Sequence, residues 1–156
     1  MSHERLRGGL ANLVIAQLLF LEHDDETRAL TLHVDSVGGS VTASLAICDT
    51  MRALKVPVST MCPMQATGVA LLVLASGTQG QRFALERSRL SFAPLVASTP
   101  ASTSEVERLE RAVTFGFARA TGQSPTRIRK ACRESESFGA SEAVRFGLID
   151  EVAKRG

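Results

Sequence analysis

The chain has 156 residues, 44% of them hydrophobic and 22% charged, the composition of one globular domain with a real core. Its 18 basic and 16 acidic residues are interspersed, leave a net charge of +2, and come with no Trp or Tyr, which argues against a nucleic-acid partner. Cys48, Cys62 and Cys132 are far apart and odd in number, so they read as reduced thiols and form neither a disulfide framework nor a metal site.

In chain order, Leu10 to Glu22 predicts a helix apolar on most of its circumference, hence buried on more than one side. Its run from Leu10 to Leu21, interrupted by Asn12 and Gln17, is shorter than the roughly 20 residues of a membrane span. With no visible secretory signal, the expectation is a cytoplasmic protein with no membrane partner. Ala29 to Val34 reads as a strand ending in a glycine turn, and Thr42 to Leu54 as a helix. A second strand is expected over Pro57–Cys62, then a buried helix over Ala66–Ala75 closed by Gly77. Gln81–Leu85 and Arg89–Phe92 are short strands, and Val96–Ser104 is a loop rich in Ala, Ser, Thr and Pro.

Ser104-x-x-Glu107 has the form of a capping box, followed by a helical stripe at Val106, Leu109, Val113 and Phe117. Ser124-Pro125 opens a further helix with a serine cap and a proline in its first turn. Ser141–Phe146 is a short helix stopped by Gly147, and Leu148–Val152 a last strand. Strands alternating with helices predict an α/β fold with parallel pairing.

The segment Asp35-Ser36-Val37-Gly38-Gly39-Ser40-Val41-Thr42-Ala43 resembles the corresponding stretch of ClpP, the peptidase subunit of the Clp protease. So do Gln65-Ala66, Arg82-Phe83-Ala84-Leu85, Ser88-Arg89, Thr121-Gly122-Gln123 and Ser141 to Asp150, in matching order and spacing. The resemblance implies the ClpP and crotonase type of α/β fold, a spiral of repeated ββα units, in one domain over residues 1–156. It implies a handle at about 96–120, shortened by some six residues. It also implies a heptameric ring, or a mixed ring with an active ClpP, and an AAA+ unfoldase as partner. The family's N-terminal axial segment, which gates the chamber and engages the unfoldase, is expected to be absent because Met1 leads almost directly into the first helix.

Carried over residue by residue, the family's nucleophilic serine falls on Gly68, its histidine on Ala93, and its aspartate on Glu136 or, by a different anchor, on Ser135. Acyl transfer needs a nucleophile, a base for its proton and donors for the oxyanion. Glycine and alanine supply neither of the first two. The histidines, His3, His23 and His33, all precede the glycine turn, and Thr67 and Ser91 lie near the lost positions without forming a dyad.

The resemblance places the oxyanion-hole donors at the backbone N–H groups of Gly39 and Val69, supported by Gly38. A tight strand-to-helix turn with no ligand would need the same glycines. The expectation is a non-catalytic ClpP-like subunit with no metal and no cofactor. Two alternatives stand beside it. One is a crotonase-fold enzyme using the oxyanion hole on an acyl thioester. The other is a residual serine-type peptidase, including a serine–lysine type for which Lys55, Lys130 and Lys154 sit in no matching motif.

Overall fold

The computed structural model describes residues 8–95 and 102–154. Two sheets form the frame. The larger has β1 (Leu30–His33), β2 (Val58–Cys62), β4 (Arg82–Leu85) and β7 (Glu151–Ala153), all parallel and in the order β1-β2-β4-β7. The smaller has β3 (Gln65–Thr67), β5 (Arg89–Ser91) and β6 (Ser137–Gly139), with β3 parallel and β6 antiparallel to β5. Successive turns of the chain give one strand to each sheet and then a helix: β2, β3 and α3 (Val69–Ala75), then β4, β5 and α4 (Thr103–Thr121). This is the expected ββα spiral.

Helix α3 is buried at every residue, the mark of an apolar segment at the centre of a domain. Helix α1 (Gly8–Asp24) differs from expectation. It buries Ala11, Val14 and Leu18, one face at helical spacing, and leaves Leu13, Leu19 and Phe20 more than half exposed. The apolar circumference is real, but only one side of it is covered by the described residues.

Strand β3 occupies residues assigned from sequence to a longer helix over Ala66–Ala75, because Gln65, Ala66 and Thr67 pair with Arg89, Leu90 and Ser91. The α4 cap is Ser102, whose hydroxyl accepts the Glu105 N–H, and Ser104 lies inside the helix. Of the expected stripe, Val113 and Phe117 are buried and Val106 and Leu109 half-buried. The last strand begins at Glu151, three residues later than Leu148. Helix α5 (Pro125–Arg133) starts as read, with Ser124 accepting from Arg127 N–H. Helix α6 (Ala140–Phe146) ends at Gly147, whose φ is +101°. A Cβ there would sit 2.5 Å from the Thr121 carbonyl oxygen, so glycine is the residue that fits. Residues 96–101 of the expected handle lie outside the described residues.

One cation ties these layers together. Arg82 is 2% exposed, and its Nε and Nη2 donate to the two carboxylate oxygens of Asp150, each at 2.8 Å. Its Nη1 donates to the carbonyls of Ala75, Ala120 and Gly147 at 3.1, 3.0 and 2.9 Å. Those carbonyls close α3, α4 and α6, where helices leave acceptors without intrahelical donors. Asp150 also accepts the N–H groups of Gly80 and Arg82. The Arg82 guanidinium, its hydrogen bonds and its charge hold the Asp150 carboxyl below the usual range, against the opposing effect of burial.

Candidate functional site

The site begins where β1 ends. Ser36 forms a parallel bridge to Ala66, with Ser36 N–H donating to Gln65 and Thr67 N–H donating back to Ser36, both at 3.1 Å. Its hydroxyl donates to the Gly38 carbonyl at 2.9 Å, which tightens the turn. Gly38 and Gly39 have φ of +131° and +153°, values that favour glycine. A Cβ on Gly38 would lie 3.9 Å from the Thr67 carbonyl oxygen, so the glycine turn rests against the residue preceding Gly68. Ser40 then caps α2 (Val41–Ala53) by accepting from the Ala43 N–H.

Gly68 joins β3 to α3 by a sharp bend, with φ +64° and ψ −124°. Its N–H donates to Ser91 at 2.9 Å, and its carbonyl accepts from Leu71 and Leu72. A side-chain-bearing residue held in such a conformation carries strain on the order of 1–3 kcal/mol, the kind stored at nucleophile elbows. Glycine holds it without that strain. Val69 is the first residue of α3, where the backbone N–H has no intrahelical acceptor.

A Cβ built on Gly68 would be 3.5 Å from the Cβ of Ala93. Positions 68 and 93, 25 residues apart in sequence, therefore face each other. Nothing on either side chain can attack, accept or donate. On the neighbouring strands, the hydroxyls of Ser91 and Ser137 are paired to each other at 2.9 Å.

Glu136 reaches the same region by its backbone, whose carbonyl accepts the Phe92 N–H at 2.8 Å. Its carboxylate is held by Arg127 through both guanidinium ends, at 2.5 and 2.9 Å. Hydrogen bonding to Arg127, then its charge, lowers the Glu136 pKa, with burial opposing. Ser135, the alternative third position, lies in the turn after α5 with φ +50°, and its N–H donates to Cys132.

His23 sits near the end of α1 and His33 on β1 of the larger sheet; His3 lies outside the described residues. Among the described residues, no three His, Cys, Asp or Glu side chains are grouped to hold a metal ion, and no helix is long and apolar enough to cross a membrane. Two features escaped sequence reasoning: Arg127 as the partner of Glu136, and the Arg82–Asp150 pair. Each unites residues whose separations, 9 and 68, match no local motif.

The sequence model of the Clp protease family matches residues 2–156. Among curated proteins, the chain is similar to the ATP-dependent Clp protease proteolytic subunit 3 of Frankia casuarinae, with 41% identity over 91% of this chain and 70% of that protein. It is likewise similar to proteolytic subunit 2 of the same organism, with 40% identity over 92% of this chain and 70% of the relative. With a family match across nearly its whole length and relatives at this identity, the chain belongs to the Clp protease family.

Proposed function

We propose that this chain is a non-catalytic subunit of a Clp-type proteolytic complex, contributing to ring and chamber walls and not to peptide hydrolysis. The observation that carries the reading is the facing pair of positions 68 and 93, occupied by glycine and alanine. By family resemblance these are the nucleophile and base positions, and neither residue has an atom for the task. The glycine turn at Gly38 and Gly39 and the helix start at Val69 support a retained oxyanion pocket. The purified chain should show no hydrolysis of small fluorogenic peptides above background. Turnover that survives removal of trace contaminating peptidases would overturn the assignment.

Ring assembly is supported by surfaces that the described residues leave open. Parallel sheets are normally covered on both faces. Here one face, carrying Leu32, Val58, Thr60 and Ala84, is buried. The other carries Thr31, His33, Ser59, Met61, Phe83 and Leu85, which are exposed or half-buried. Leu13, Leu19 and Phe20 of α1 are also exposed. A neighbouring subunit would cover both, in a homomeric ring, a heptamer by family resemblance, or in a mixed ring with an active ClpP.

Leu19→Asp with Phe20→Asp is therefore expected to shift native mass from the ring to smaller species while the circular dichroism spectrum is kept. An unchanged ring mass would contradict a role for α1 between subunits. Location in the cytoplasm, and an AAA+ unfoldase as a partner of the assembled ring as a whole, belong to the same family-based reading. Handle-mediated stacking of two rings, through the region at about 96–120, is the part that a double-ring mass would establish.

A further inference from the structure

We infer that Arg127 is a positioning residue that holds the Glu136 carboxylate in a brace between α5 and β6, so that this carboxylate is withheld from position 93. The inference rests on the reading of positions 68, 93 and 136 as the family's triad positions.

Three observations place the brace. The guanidinium grips both oxygens of Glu136, a fork geometry that fixes the direction of the carboxylate as well as its distance. The same guanidinium lies over the Phe146 ring, 5.1 Å from its centre. Phe146 in turn packs against Phe92 and Phe138, at 5.6 and 4.9 Å between ring centres. Phe92 turns its ring into this cluster, whereas Ala93, the next residue, turns its Cβ to Gly68. The ion pair thus stacks on the aromatic cluster that holds the Phe92 ring, whereas the Cβ of Ala93 faces Gly68.

The Glu136 backbone is pinned from two directions, its N–H to Ala131 and its carbonyl to Phe92 N–H. Freedom to reach position 93 is therefore confined to the side chain, which Arg127 holds. The other charges acting on the pair are Lys130 and Glu134 at the end of α5.

The test places an imidazole at position 93 and reads its titration by NMR, which needs no catalysis. In Ala93→His the ring should titrate near the ordinary value of about 6.5, and adding Glu136→Gln should leave it there. Adding Arg127→Gln instead should raise the titration by roughly one unit, since a carboxylate freed within reach favours the protonated ring. Glu136→Gln in that background should abolish the rise, separating the carboxylate from the mere loss of a positive charge.

The inference is overturned if Arg127→Gln has no effect, or if its effect persists without the Glu136 carboxylate. It is also overturned if Glu136→Gln already lowers the titration while Arg127 is present, a comparison that stands even should Arg127→Gln fail to fold. Because these readouts involve no hydrolysis, failure here is distinct from any discovery that the chain itself cleaves peptides.

Discussion

Replacing Arg82 by methionine should destabilise the chain by about 3–5 kcal/mol, the usual cost of removing one partner from a buried ion pair. For a domain of this size that corresponds to a fall in Tm of roughly 10 °C. The loss has two sources. Asp150 keeps a half-buried charge without its counterion, and the carbonyls of Ala75, Ala120 and Gly147 lose a shared donor at the ends of three helices. Methionine retains most of the side-chain volume, so a cavity is a minor part of the effect.

The same network sets an acid limit. The folded pKa of Asp150 lies below its reference value of 3.8. Its contribution is therefore fully present above that value and is lost as pH falls through the folded pKa. Asp150→Asn should be less stable at neutral pH and less sensitive to acid below pH 4. A thermal melt of Arg82→Met within 2 °C of the parent would show that the knot does not hold the helices.

Installing Gly68→Ser and Ala93→His together should bring back acylation by a reactive ester, whereas either change alone should give almost nothing, because nucleophile and base act as a unit. The two side chains start from Cβ positions about one van der Waals contact apart, and the elbow at position 68 already has its bend. The serine variant should lose on the order of 1–3 kcal/mol of stability, since φ +64° strains a side-chain-bearing residue. Activity of the pair should be weak.

An oriented third member contributes about 10⁴-fold in a serine protease, and here the Glu136 carboxylate is gripped by Arg127. Adding Arg127→Gln should raise the acylation rate by roughly tenfold or more, a part of that contribution. Glu136→Asp shortens the side chain and weakens the same grip, so it should help in the same direction. If the triple variant is folded and ring-forming yet inert to the ester, the backbone donors at Gly39 and Val69 do not converge.

The chain's large features were legible in its sequence because they follow from local periodicity and capping. The apolar run of α3, the Ser124-Pro125 start of α5 and the Gly147 stop of α6 need no distant partner to be read. Strand β3 was not legible, since three residues become a strand only by pairing with β5 and bridging to Ser36. Strand β6 is equally short, with one half-buried aromatic, Phe138, and no periodicity. The α4 cap was misplaced at Ser104 for a different reason: Ser102 also stands three residues before a glutamate, and the local pattern does not rank the two.

In the site, Gly68 and Ala93 could be singled out from the order and spacing of motifs, but that they face each other could not. The Arg127 grip on Glu136 required the fold, because it depends on α5 turning back over Phe146. The apolar circumference of α1 was legible in its composition, but the exposure of Leu13, Leu19 and Phe20 was not.

The most direct measurement of the central claim is the intact mass of every subunit after an assembled ring, containing this chain and an active family member, is treated with a fluorophosphonate. The active subunit should gain one adduct while this chain keeps its unmodified mass. An adduct on this chain, mapped to Thr67, Ser91 or any other hydroxyl beside Gly68, would contradict that claim.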